Sequence, residues 1–435
     1  MKILIQNGRV IDPARGFDQR AEVAIAAGRI VAIGQAPADF SANRVIDARG
    51  GIVAPGLVDL CARLGEPGQE HAGMLESEMA AAVAGGVTSL VCPPDTDPVL
   101  DEPGLVDMLR HRAEKLHQSR VLPLGALTRG LQGEVLTEMG QLTAAGCVGF
   151  SQAEVALANT QVLQRALQYA STFGYSVWLR PQELHLGKGV AASGPLATRM
   201  GLSGVPVAAE TIALHTLFAL MRSTGARVHL CRISSAAGVE LVRQAKAEGL
   251  PLSCDVSIHS LHLTDVDMGY FDSRARLSPP LRQQADRQAL RAALADGTID
   301  ALVSDHHPVQ GDEKALPFAE AEPGATGLEL LLSLALKWAQ DEGLPVLQAL
   351  SVVTDRPARI LRQSSPGLPD GLGHLRVGGV ADLCIVHPDE VWQLDPAQLK
   401  SQGKHTPFAF DCTGVSLPAR VAATLVGGAW AYPQA

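Results

Sequence analysis

The chain has 435 residues, 46% hydrophobic and 19% charged, so it can bury a large apolar core and is not a disordered tail. Lys plus Arg number 36 and Asp plus Glu 45, a formal net charge of −9. This excludes partners that need a basic face, nucleic acid and anionic membrane among them. The opening MKILIQNGRVIDPARG lacks the continuous apolar stretch of a signal peptide, and no window reaches the length of a membrane span. Seven scattered cysteines (Cys61, Cys92, Cys147, Cys231, Cys254, Cys384, Cys412) form no CxxC, and most sit in apolar runs. The expectation is a reducing cytoplasm.

In chain order, residues 1–54 predict short strands with turn signals between them: KILIQNG, AEVAIAAGRIVAIG and RVIDARGGIVAPG. Residues 55–365 change rhythm. Short apolar runs recur (GLVDLCARL, GVTSLVCPP, RVLPLGALT, CVGFSQ, SVWLRPQE, RVHLCRISS, PLSCDVSIHS, DALVSDHHP), and stretches of helical spacing such as MLESEMAAAVAGG and AAGVELVRQAKAEG lie between them. Near-continuous Val, Leu and Ile runs are what strands buried on both faces look like. Eight such strand–helix units predict a (β/α)8 barrel, the TIM-barrel architecture. The Pro/Gly-rich SSPGLPDGLGHL predicts a linker. Residues 366–435, with GGVADLCIVHPDEV and ARVAATLVGGAWAY, are β-rich again. Neither end is long enough for a core of its own, so the two termini are expected to form one small β-sandwich domain.

A barrel of this kind carries its chemistry at the C-terminal ends of its strands. The residues ending the runs are Cys61 and Arg63; Pro94 and Asp95; Thr128; Ser151; Arg180; Arg232; Ser257 and His259; Asp305, His306 and His307.

Over almost its whole length the chain resembles the amidohydrolase superfamily, in particular the cyclic amidohydrolases of the dihydroorotase group. The resemblance rests on IVAPGLVDLCARLGEPG, VCPPDTDPVLDEPG, SIHSLHLTD, RLSPPLR, DALVSDHHP followed by DEK, GATGLEL and KHTPF. It implies a divalent metal pair, usually zinc, held by an HxH on the first strand, a carboxylated lysine on the fourth, histidines on the fifth and sixth, and an aspartate on the eighth. Those positions are here Cys61 and Arg63, Ser151, Arg180, Arg232 and Asp305. Only Asp305 keeps the family residue. The substrate-orienting positions differ as well: Gly65 stands for an arginine, and Asp95 and Ser278 for asparagines.

A metal ligand must offer a lone pair. A guanidinium offers only donors and stays protonated, and Ser151 cannot form a carbamate. Without the metal nothing lowers the pKa of water from about 15.7 toward about 7. The resemblance therefore implies a dihydroorotase-like pseudoenzyme with no cofactor, closest to the non-catalytic subunits that associate with the catalytic chain of bacterial aspartate carbamoyltransferase in pyrimidine biosynthesis. Zinc would belong only to the alternative, an active cyclic amidohydrolase with a reorganised site. Self-association is also open.

Each residue has a plainer reading beside the chemical one. Asp305 is either a proton-transfer base or the ion-pair partner of Arg63, Arg180 or Arg232. The three arginines either receive an anion or are neutralised internally by Asp95, Asp305, Glu66 and Glu183. His259, His262, His306 and His307, with Cys61, would be the donors of a relocated metal site. Cys61 is otherwise a packing residue, since no histidine is visibly paired with it.

Overall fold

The computed structural model describes residues 1–365, 367–409 and 416–433; Pro366 of the expected linker and Cys412 lie outside the described residues. Strand Lys2–Asp12 turns back on Phe17–Ala26, and that on Arg29–Gly34, in antiparallel register. The first reversal is fixed by the Asp12 carboxylate, which accepts the Ala14 N–H, and by Gly16 at φ 60°. Arg44–Asp47 and Ile52–Pro55 then lie parallel to the first strand. Ile52–Pro55 is the seam between the termini, because its other edge pairs antiparallel with Leu383–Val386 of the strand Leu383–Gln393. Ser416–Val426 and Ala429–Tyr432 complete the sheet.

The expected sandwich is thus one eight-stranded sheet folded back on itself. The edge strand Arg29–Gly34 meets the segment leading into Leu383–Gln393 where Ile30 N donates to Gly379 O (3.0 Å) and Ala381 N to Gly28 O (2.9 Å). Inside lie Ile3, Ile5, Val10, Val23 and Ile25 from one terminus and Leu383, Ile385 and Leu425 from the other, all buried.

The barrel strands are Leu57–Asp59, Val87–Cys92, Arg120–Pro123 with Gly125–Ala126, Phe150–Ser151, Ser176–Leu179, Arg227–Leu230, Leu252–Ser257 and Ala301–Val303, each parallel to the next. The third is split at Leu124: its first piece pairs with the second strand and its second piece with the fourth. Between the eighth strand and the first, Ala62 bridges His306 and Arg63 N donates to His306 O (2.8 Å). The Asp59 carboxylate also accepts Ser304 N (3.1 Å) across this join.

The outer helices start and stop where local chemistry dictates. Asn159 accepts the N–H groups of Gln161 and Val162 to open Thr160–Phe173, and Ser235 accepts Gly238 N to open Ala236–Glu248. They end on Gly174 (φ 73°) and Gly249 (φ 89°), left-handed positions suited to glycine. Inside the strands Val58, Leu60, Val91, Leu124, Trp178, Ala301 and Val303 form an apolar layer, and Ala358 and Leu361 of helix Asp355–Ser364 close it from below. The linker packs rather than dangles: Leu372 joins this layer and Leu375 the core of the terminal sheet. Among the described residues no helix is long and apolar enough to cross a membrane.

Candidate functional site

Above that apolar layer, at the C-terminal strand ends, the interior turns charged. Arg63 follows the first strand, Arg180 the fifth and Arg232 the sixth, and their side chains keep only 8%, 8% and 4% of their surface exposed. Three buried guanidiniums need three carboxylates nearby. Arg63 donates from Nε (3.0 Å) and Nη2 (2.8 Å) to Asp95 Oδ2. Arg232 donates from Nη1 to Asp305 Oδ1 (3.0 Å) and to Ser278 O (3.1 Å).

The third carboxylate is Glu154, and it touches all three arginines. Its Oε1 accepts Arg63 Nη2 (2.9 Å) and Arg232 Nη2, and its Oε2 accepts the Ser278 hydroxyl (3.2 Å). Oε2 also lies 2.9 Å from Arg180 Nε, an ion pair without the alignment of a hydrogen bond. Burial alone would push the Glu154 carboxyl up; Arg180, Arg232 and Arg63 overcome that and hold it well below the usual carboxylate range. Asp305 moves the other way: burial raises it, and the attraction of Arg232 and Arg63 does not cancel the rise.

The structure brings together Cys61, Arg63, Asp95, Arg180, Arg232, Ser278 and Asp305. Ser151 stands apart, its hydroxyl accepting Ala153 N (3.0 Å) at the root of the next loop. Gly65 sits at φ 73° in a turn so tight that a Cβ would lie 1.9 Å from Gly73 O, so the turn has no room for the family's arginine. Of the two readings of Asp305, the geometry contains the ion pair, with Arg232 as partner. The Cys61 thiol is pushed well above its ordinary value by burial, so it is a thiol and not a thiolate nucleophile.

Two expectations need correction. Glu66 does not neutralise the arginines of the mouth; it pairs with Arg112 and accepts Leu75 N (3.0 Å). Glu183 caps its own loop, accepting His185 N (3.0 Å) and Leu186 N (2.7 Å). Both serve backbone donors or neighbours close to them in the fold, whereas Glu154 is delivered into the mouth. Its signal in the sequence was faint: an acid three residues past Ser151, in SQAEVAL.

The histidines divide: His307 lines the mouth beside Asp305, and the other three are engaged elsewhere. His306 accepts Gly327 N at Nδ1 (3.1 Å), which leaves Nε2–H to donate to Glu78 Oε2 (2.8 Å). His262 donates to Leu334 O (3.0 Å), and His259 stacks on Phe408 at 5.6 Å. Among the described residues one trio, His229, Cys231 and Asp255, holds donor atoms within 4.8 Å of one another. Two of its members are already engaged: His229 bonds Asp255 Oδ2 and Ser253 Oγ (2.8 Å each), and Asp255 Oδ1 accepts Arg232 N (2.7 Å).

The metal pair that the dihydroorotase resemblance implies does not fit this donor set. Three of its ligand positions present N–H donors only, the Ser151 hydroxyl accepts Ala153 N, and Glu154 Oε1 and Asp305 Oδ1 accept guanidinium hydrogens.

Residues 207–432 match the model described as Amidohydrolase family. Residues 50–237 match the model described as Dihydro-orotase-like. The chain is 44% identical to the dihydroorotase-like protein of Pseudomonas aeruginosa, covering 98% of this chain and 99% of that one. It is 39% identical to the dihydroorotase of a Geobacter species, over 99% of each chain. The chain therefore belongs to the amidohydrolase family, on its dihydroorotase-like branch. L-hydantoinase (dihydropyrimidinase) from Arthrobacter aurescens superposes with a TM-score of 0.86 over 98% of this chain and 95% of its own, at 24% identity, a likeness of fold.

Proposed function

We propose that this dihydroorotase-like chain is a pseudoenzyme: a non-catalytic structural subunit that assembles with the catalytic chain of aspartate carbamoyltransferase in the cytoplasmic synthesis of pyrimidines. The observation that carries the loss of catalysis is the Glu154 clasp. One carboxylate ties together three guanidiniums where the parent chemistry needs lone pairs around two cations. With no site for a metal, no group in the mouth turns water into hydroxide at neutral pH. Asp305, the retained family aspartate, is spent on Arg232.

The subunit role rests on the resemblance and on the barrel itself. Helices ring its outside, so an assembly surface survives the loss of chemistry at the mouth. Mixing the purified chain with aspartate carbamoyltransferase catalytic chain should give a stable co-eluting complex in gel filtration and change the transferase's activity or assembly state. A chain that elutes alone beside a fully active transferase contradicts the role.

The alternative, an active cyclic amidohydrolase, draws on the relatives named dihydroorotase. Chelator-sensitive hydrolysis of dihydroorotate that disappears in Asp305→Ala would establish it instead.

A further inference from the structure

We propose that the arginine cradle is a binding site for small monocarboxylates, and that Glu154 is its exchangeable resident ligand. This rests on the reading that the mouth holds no metal. Each Glu154 oxygen meets two donor groups, Oε1 the guanidiniums of Arg63 and Arg232, Oε2 Arg180 Nε and the Ser278 hydroxyl. That is how a protein receives a free carboxylate; Arg63 and Arg232 are held independently by Asp95 and Asp305, and Arg180 Nη2 donates to the Glu154 carbonyl (3.3 Å). Arg180 and Arg232 stand at strand ends, and Arg232 is further held by its backbone N–H on Asp255.

The carboxylate, by contrast, comes from a loop. Residues 152–159 carry no regular secondary structure between Ser151 and helix Thr160–Phe173. Gln152 anchors the root, accepting the Thr128 hydroxyl (3.0 Å) and donating to Leu131 O (2.7 Å). Beyond it Ala153 takes a left-handed turn (φ 49°), and Val155 is 45% exposed. The root can stay while Glu154 swings out.

Beside Glu154 lies a cavity of about 180 Å³, walled by Arg180, Arg232, Ser278, Asp305, His307 and Glu322 among others. At about 30 Å³ per water it has room for roughly six waters, or for a carboxylate of a few heavy atoms. Charge selects the class. When Glu154 leaves, Arg63 keeps Asp95 and Arg232 keeps Asp305, so Arg180 alone loses its carboxylate. One negative charge is called for, and the carboxylates of Asp305 and Glu322 on the wall repel a second. A monocarboxylate satisfies this; phosphate and dicarboxylates do not.

The test uses Glu154→Gln and Glu154→Ala in the full chain, with metal content measured on the same samples. Thermal unfolding is followed in sodium acetate, chloride and phosphate at matched ionic strength. Acetate should raise the melting temperature of the variants saturably, recovering most of the loss, while chloride and phosphate should not. In the unaltered chain, acetate at the concentration that saturates the variants should speed hydrogen exchange in residues 152–159. If Glu154→Ala fails to fold, Glu154→Gln carries the measurement, since it keeps the shape and loses the charge. Acetate that only tracks chloride, or phosphate that outperforms acetate, overturns the site. Unchanged loop exchange in the unaltered chain overturns the exchange. Stoichiometric metal would refute the metal-free reading underneath, a distinct outcome visible before any ligand is added.

Discussion

The lower and upper halves of the barrel interior are built from opposite materials. Below, Val58, Val91, Leu124, Trp178 and Val303 pack as hydrocarbon, closed off by Ala358 and Leu361. Above, Arg63, Arg180 and Arg232 interlock with Asp95, Glu154 and Asp305. The lower layer would serve any barrel enzyme equally, since packing there asks only for volume and apolarity. The upper layer is where function is decided, and it is spent on self-neutralisation. On the proposed pseudoenzyme reading, the scaffold stays whole while its reactive end becomes a structural joint.

The two halves should fail differently when cut. Trp178→Ala empties a fully buried position in the lower layer and should cost about 3–5 kcal/mol in urea unfolding, whatever the pH or salt. Glu154→Ala should cost about 3 kcal/mol, the low end for a broken buried pair because 29% of its side chain stays exposed. The double variant Glu154→Leu/Arg180→Met should recover much of that loss, since it removes the stranded charge as well. A double variant no more stable than Glu154→Ala would mean that the mouth is held by something other than charge pairing.

The Glu154 pair also has a pH signature. Its folded carboxyl lies well below the ordinary 4.5, so its stabilisation is present above that value and is lost as pH falls through the folded pKa. Stability of the parent should therefore drop more steeply in acid than that of Glu154→Gln, measured by urea midpoints from neutral pH downward.

Lys314, a buried cation, carries a pH signature of the same direction in a higher window. Buried at 2% exposure, its ammonium donates to Ser273 O and Arg276 O (3.1 Å each), and burial lowers it from 10.5 to about 7. Above about pH 7 the folded chain binds fewer protons here than the unfolded chain, so stability should rise with pH from 7 toward 9. Lys314→Met should flatten that rise; an unchanged slope would remove Lys314 as its source.

The smallest effect belongs to the same chemistry placed in water. Asp18→Asn breaks the exposed pair with Arg9 (2.6 Å) and should cost about 0.2–1 kcal/mol, fading with added salt.

Much of this was legible in the sequence, for physical reasons. Strands buried on both faces betray themselves as unbroken apolar runs, and a sheet shared by the termini follows from two β-rich ends too short to stand alone. The arginines at 63, 180 and 232 were placed by the strand ends they follow. Glu154 was not, because a loop side chain obeys no period: Glu66 and Glu183 looked equally available, and only three-dimensional delivery separates them. The split of the third strand at Leu124 and the pairing of His229 with Asp255 across adjacent strands depend on register, which one sequence does not spell out.

The most direct measurement is quantitative metal analysis of the purified chain after equilibration with zinc and removal of the excess, followed by a dihydroorotate hydrolysis assay on the same sample. A mouth tied shut by Glu154 predicts zinc far below one ion per chain and no chelator-sensitive turnover. One or two tightly held ions per chain, with hydrolysis that a chelator abolishes, would contradict it.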